Sequence, residues 1–190
     1  IVARDAFSGV LLWEKKIPKW IDTHYRYKYG PAQVPRRLVA VGDRVYVTSS
    51  IDGPVVELDA ATGETLRTYE GTAVTDEIIF EDGILYLVNI PAPSELDLFQ
   101  RTIKFDEYRW KPLPRVVMAV NAQTGRILWK HNDSVMRVTL TMGGGRVCFY
   151  NGTSIVGLDQ KTGKKLWESP PLVRNQRMTP EMAPRIACMG

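Results

Sequence analysis

Four polar residues stand at matched places along this chain. Arg37, Glu77, Thr139 and Arg185 each precede a hairpin-type turn by the same number of residues, the turns falling at Gly42, Asp82, Gly144 and Gly190. Two guanidiniums, a carboxylate and a hydroxyl gathered at one opening would form a polar ring able to hold an anion or another polar ligand. The plainer use of the same residues is a solvated rim. A second set lies just upstream, where His24, Tyr25, Arg26, Tyr27 and then Arg36 mix aromatic and basic side chains. Such a mixture suits stacking and anion contact. Tyr and Arg also recur in the energetically dominant positions of protein interfaces, so this stretch is either a protein-contact surface or a loop capping its neighbours. No metal site is expected, because His24 and His131 are far apart and neither has a second His or a Cys at ligand spacing. Cys148 and Cys188 read as two buried thiols.

These residues are positioned by a repeat. Residues 5–16 read DAFSGVLLWEKK, 59–70 DAATGETLRTYE, 121–132 NAQTGRILWKHN and 159–168 DQKTGKKLWE. In each, an Asp or Asn opens the turn and bonds the backbone N–H groups that follow. A Gly four residues later supplies the positive φ at no steric cost. Asp5, Asp59, Asn121 and Asp159 are therefore turn residues, with Gly9, Gly63, Gly125 and Gly163 as their partners. Trp13, Trp129 and Trp167 follow on an outer strand, where a large ring fills the wedge between neighbouring units. The unit around Gly63 carries Arg67 instead. Either this unit packs differently or faces a partner, or it is simply a degenerate repeat.

The motif glycines are spaced by 54, 62 and 38 residues. The shortest interval is the bare unit, and two Pro-containing insertions, 18–37 and 90–115, lengthen the others. A period of about 40 residues with four short strands per unit is the mark of a β-propeller blade. The expected fold is all-β, a partial propeller of four-stranded antiparallel blades. It has a partial blade at 1–17, blades at 34–70, 71–132 and 133–169, and the start of another at 183–190. The first residue is Ile1 and the last stretch stops where a strand pair should begin, so the chain reads as a fragment of a longer protein. The net charge of +4 is mild and dispersed, which does not favour nucleic acid as a partner. No apolar run approaches the ~18 residues of a membrane span.

The stretches VVELDAATGETLR, VMAVNAQTGRILW and IVGLDQKTGKKLW resemble the pyrrolo-quinoline-quinone-like (PQQ-like) propeller repeat. The resemblance implies a whole propeller of about eight blades and an extracytoplasmic or periplasmic setting. It covers quinoprotein alcohol dehydrogenases, which bind the quinone and calcium on the axis, and outer-membrane assembly propellers, which act as scaffolds. The dehydrogenases stack the quinone on a vicinal Cys pair, and Cys148 and Cys188 are not adjacent. Glu57 and Asn89 are of the right types for calcium, with nothing in the sequence to join them. This segment therefore supports no cofactor, and no catalytic residue is assigned. The expected function is a non-catalytic binding or scaffold module that engages a protein partner or a small polar or anionic ligand at channel-face loops. The alternatives are part of a PQQ- and calcium-dependent dehydrogenase, or a sensor propeller attached to another domain.

Overall fold

A computed structural model describes residues 1–18, 34–92 and 113–172. Its strands fall into four antiparallel sheets. The first is the pair β1 (Val2–Arg4) and β2 (Leu11–Glu14). The second holds β3 (Leu38–Val41), β4 (Arg44–Thr48), β5 (Val55–Asp59) and β6 (Thr65–Thr68). The third holds β7 (Thr75–Glu81), β8 (Ile84–Asn89), β9 (Leu113–Asn121) and β10 (Ile127–Val135). The fourth holds β11 (Thr141–Gly143), β12 (Arg146–Tyr150), β13 (Ile155–Asp159) and β14 (Lys165–Glu168). Strands pair in sequence order within each sheet, and one 3-10 turn, Val34–Arg37, leads into β3. This is a partial β-propeller, and each sheet is a blade.

The strands form because short β-branched and aromatic runs alternate with turn chemistry. The motif turn shows the local cause. Asp59 Oδ1 accepts the N–H groups of Ala61 and Thr62, both at 2.9 Å, and the Gly63 N–H returns to the Asp59 carbonyl at 2.9 Å. Gly63 sits at φ +73°, a value at which a Cβ is costly. The same bonds recur from Asp5 to Ser8, Asn121 to Thr124 and Asp159 to Thr162. A register shift adjoins each turn, as between Glu57 and Leu58 or Gly157 and Leu158. The three later motif turns are also tied to the inner hairpins of their own blades. Ala60 N–H bonds Asp43 O, Ala122 bonds Gly83 and Gln160 bonds Gly145. Hairpins and motif turns therefore share one end of the strands, the hairpin face. The segments 19–33 and 93–112 attach at the opposite end, the insertion face.

Three apolar clusters fill the seams between blades. Val45, Val47, Val56 and Leu58 meet Trp13, Tyr46 and Tyr69 meet Ile78 and Leu87, and Tyr86 and Trp129 meet Val147 and Phe149. Trp13 Nε1 donates to Ala60 O of the next blade at 2.9 Å, and Trp129 Nε1 donates to Gln160 O at 3.0 Å. The unit with Arg67 keeps this arrangement by another route. Tyr69, on the same strand face two residues further on, donates to Ala122 O at 2.6 Å, the equivalent carbonyl of the next motif. The sequence pattern missed this substitution because it follows a fixed offset from the glycine. Trp167 has no such seam among the described residues. It is half-exposed and lies across Gly157, where a Cβ would come within 2.3 Å of the ring.

Candidate functional site

The insertion-face ends of the inner strands carry a buried cluster of charge. The 3-10 turn at Val34–Arg37 lies against β7 and presents Arg36 and Arg37 to it. Arg37 Nη2 reaches Asp76 Oδ1 at 2.6 Å, and its Nη1 donates to Ile51 O at 3.0 Å. The other Asp76 oxygen faces Arg115 Nη2 at 3.5 Å and Arg137 Nε at 3.6 Å. Three guanidiniums from three segments thus share one carboxylate whose side chain is 1% exposed. Next to it, Glu77 accepts from Arg36 Nη1 at 3.4 Å and from the Val138 N–H. Arg36 also donates to Leu140 O at 3.0 Å, bridging the second blade to the fourth. Val138 holds a positive φ of 62°, unusual for a β-branched residue, and this conformation aims its N–H at Glu77.

The two neighbouring carboxyls differ in electrostatics. Burial alone would raise the Asp76 carboxyl, but Arg137, Arg37 and Arg115 together hold it below the ordinary Asp value. Glu77 has one half-exposed guanidinium for company. Burial pushes it up to about 7, against the opposing pull of Arg36 and the Val138 N–H. Burial also lowers the Arg37 guanidinium, and Asp76 opposes that shift.

Of the residues singled out in the sequence, Arg37 and Glu77 lie in this cluster, and Thr139 lies at its edge. All three are buried. Thr139 is held inward, since its hydroxyl donates to Met136 O at 2.7 Å and accepts the Tyr150 N–H at 3.2 Å. It closes the connector before β11 and faces no opening. Arg36, read in the sequence as part of the insertion's contact surface, is a member of the charge cluster and keeps 38% of its side chain exposed. Arg185, His24, Tyr25, Arg26, Tyr27 and Cys188 lie outside the described residues. Sequence reasoning missed Asp76, Arg115 and Arg137. Asp76 adjoins Glu77 in the sequence and was the one legible signal. Arg115 and Arg137 sit on other strands and connectors, and only folding joins them.

The described residues do not fit the quinone and calcium that the repeat's enzymes carry. Cys148 is a buried cysteine on β12 with no cysteine next to it in the sequence. Glu57 is held by Arg44 at 2.8 Å, by Arg67 at 3.5 Å and by the Tyr69 hydroxyl at 3.1 Å. Asn89 belongs to another blade and donates its amide to Ala73 O at 2.8 Å. His131 lies beside Asp133 at 3.6 Å and against the Phe149 ring.

The family model described as "Outer membrane protein assembly factor BamB" matches residues 111–189. The chain carries the PQQ-like propeller repeat. It is 25% identical over 171 residues to outer membrane protein assembly factor BamB of Burkholderia pseudomallei (strain K96243), covering 76% of this chain and 42% of that protein. It is 26% identical over 175 residues to a polyvinylalcohol dehydrogenase of Pseudomonas sp, covering 80% of this chain and 24% of the relative. The chain thus spans less than half the length of either relative. Among solved structures, the computationally designed Ika4 protein superposes with a TM-score of 0.50 at 18% identity, over 71% of each chain. That likeness concerns the fold alone.

Proposed function

We propose that this propeller segment is a non-catalytic binding module that engages a protein partner on its insertion face. The observation that carries the reading is the way the cluster's carboxylates are occupied. Asp76 and Glu77, the acidic groups best placed on that face for chemistry or a cation, are already held by guanidiniums and a backbone N–H. Both carboxyls are buried beneath these partners, and a carboxyl that neither substrate nor solvent reaches is a poor general base and a poor metal ligand. What the face offers outward is the half-exposed Arg36 and the attachment points of both insertions. An ionic cluster at the 3-10 turn and the start of β9, where both insertions re-enter the blades, suits recognition, since binding residues concentrate on loops held by a firm scaffold. The relative named as an outer membrane protein assembly factor points to a protein partner in outer-membrane assembly and to a periplasmic setting.

The test places a photo-crosslinking residue at position 36, and at the exposed position 64 on the hairpin face, in the full-length protein in its native cells. A discrete adduct from position 36, absent from position 64 and identified as one protein, is the expected result. The match to a polyvinylalcohol dehydrogenase favours a second reading, a segment of a quinoprotein enzyme. Dye-linked alcohol oxidation by the full-length protein after addition of PQQ and calcium would establish that reading and overturn the first.

A further inference from the structure

Among the described residues, the seam between the second and third blades is packed more loosely around its motif glycine than its two neighbours are. In the first seam the Trp13 ring lies so close over Gly63 that a Cβ there would meet it at 2.7 Å. In the third, Trp129 covers Gly163 at 2.4 Å. At the equivalent Gly125 of the middle seam nothing comes nearer than 3.8 Å, and the nearest atoms are Arg67 Cδ and Tyr69 Cδ1. Arg67 occupies the place that Trp takes in the other blades, and Tyr69 makes the carbonyl bond from further along the strand. The wedge that an indole would fill is left open. The result is a cleft of about 510 Å³ on the hairpin face, lined among others by Arg44, Glu57, Arg67, Phe80, Asp82 and Asn121. This is within the size range of sites for small organic ligands.

The chemistry of the cleft is polarised. Glu57 holds Arg44 Nε at 2.8 Å and Arg67 Nε at 3.5 Å. Arg44 is further tied to Asp43 at 2.8 Å. Arg67 keeps 40% of its side chain exposed, and its terminal nitrogens make no hydrogen bond among the described residues. That leaves a guanidinium braced from behind with its planar fork open, the geometry that takes a carboxylate through two parallel bonds. Phe80 and Tyr46 both line the cleft and supply an aromatic wall, their rings stacked at 5.5 Å and 14°. Of the charged residues lining the cleft, Arg44 and Arg67 balance Glu57 and Asp82. A monoanion pairs with the open fork, whereas a phosphate dianion would bring a second negative charge beside Glu57 and Asp82.

We propose that this seam cleft binds a small aromatic monocarboxylate, the carboxylate on the Arg67 fork and the ring against Phe80. The proposal stands apart from the partner face described above, because it uses the opposite end of the blades and other residues. The experiment titrates the full-length protein with phenylacetate, cyclohexylacetate and inorganic phosphate by calorimetry and by NMR of labelled arginine side chains. Saturable phenylacetate binding with Kd at or below about 1 mM is expected, with cyclohexylacetate weaker and phosphate not competing. Arg67→Trp restores the repeat residue, fills the wedge and abolishes binding. Arg67→Lys keeps the charge, loses the fork and weakens binding by roughly tenfold. Phe80→Leu keeps the fork and weakens phenylacetate to the level of cyclohexylacetate. Absence of saturable phenylacetate binding, phosphate binding as well as phenylacetate, or phenylacetate affinity unchanged in Arg67→Lys would each overturn the proposal.

Discussion

At the hairpin end of the blades the same few contacts recur. Asp59, Asn121 and Asp159 each close a turn on a hydroxyl residue three positions on, and an aromatic donor from the preceding blade caps the carbonyl after each of them. At the insertion end one backbone device recurs, a positive-φ Val before a Thr whose hydroxyl bonds the carbonyl three residues back (Val74–Thr75 and Val138–Thr139), but the charged groups do not repeat. Arg36, Arg37, Asp76, Glu77, Arg115 and Arg137 come from different places in different blades and form one buried ionic cluster. The first end is assembled from local geometry and apolar packing, so each blade carries its own share of stability. The second is assembled from long-range charge pairing, in which removing one member leaves the others uncompensated in a low dielectric. Periodicity is thus the signature of scaffold in this chain, and departure from it marks specialised ground.

The strongest way to test that contrast is at a seam. Trp129→Ala removes a buried indole and its bond to Gln160, and should destabilise by about 3–5 kcal/mol in chemical denaturation. A loss under about 1 kcal/mol would show that the seam does not depend on the ring. On the opposite face, Asp76→Asn keeps the shape and removes the charge shared by Arg37, Arg115 and Arg137. It should cost about 3 kcal/mol by the same measurement. A neutral outcome would mean that the cluster is not held by charge.

The pH dependence separates the two adjacent carboxyls. Glu77 stands at about 7 in the folded protein against an ordinary 4.5, so the native state holds its proton more tightly than the unfolded chain does. Stability should therefore fall as pH rises from about 4.5 through about 7, by at most about 3 kcal/mol. Glu77→Gln should flatten that part of the profile, as followed by denaturation midpoints across the range. Asp76 has the opposite sign. Its folded value is depressed, so its contribution is present above the unfolded value near 3.8 and is lost as pH falls through the folded one. A wild-type profile that rises with pH between 4.5 and 7, and loses that rise in Glu77→Gln, would contradict the assignment. The smallest effect is expected at the middle seam. Tyr69→Phe removes one buried hydroxyl and leaves the Ala122 carbonyl without that donor, at a cost of about 1–2 kcal/mol. An effect as large as that of Trp129→Ala would mean that this one hydroxyl, rather than the packing of the Tyr69 ring against Ile78 and Leu87, holds the seam.

Much of the architecture was legible in the residues because its causes are local. An Asx turn, a glycine at positive φ and an alternating strand each act within a few positions, and their recurrence set the blade plan and the register of Arg37, Glu77 and Thr139. The role of Tyr69 was not legible, because it depends on which strand face meets the next blade rather than on distance from the glycine. The charge cluster was half legible. Counting from the hairpin turns found Arg37 and Glu77, but the same count selected Thr139, whose hydroxyl is consumed by its own connector. It could not select Asp76, Arg115 or Arg137, whose partners are remote in sequence. The chain by itself determined the repeat, its turns and its fold class, since each rests on short-range sterics and hydrogen bonding. Only the tertiary structure decided which charges meet and which seam stays open, because burial, dielectric and the space left beside Gly125 are properties of neighbouring blades brought together.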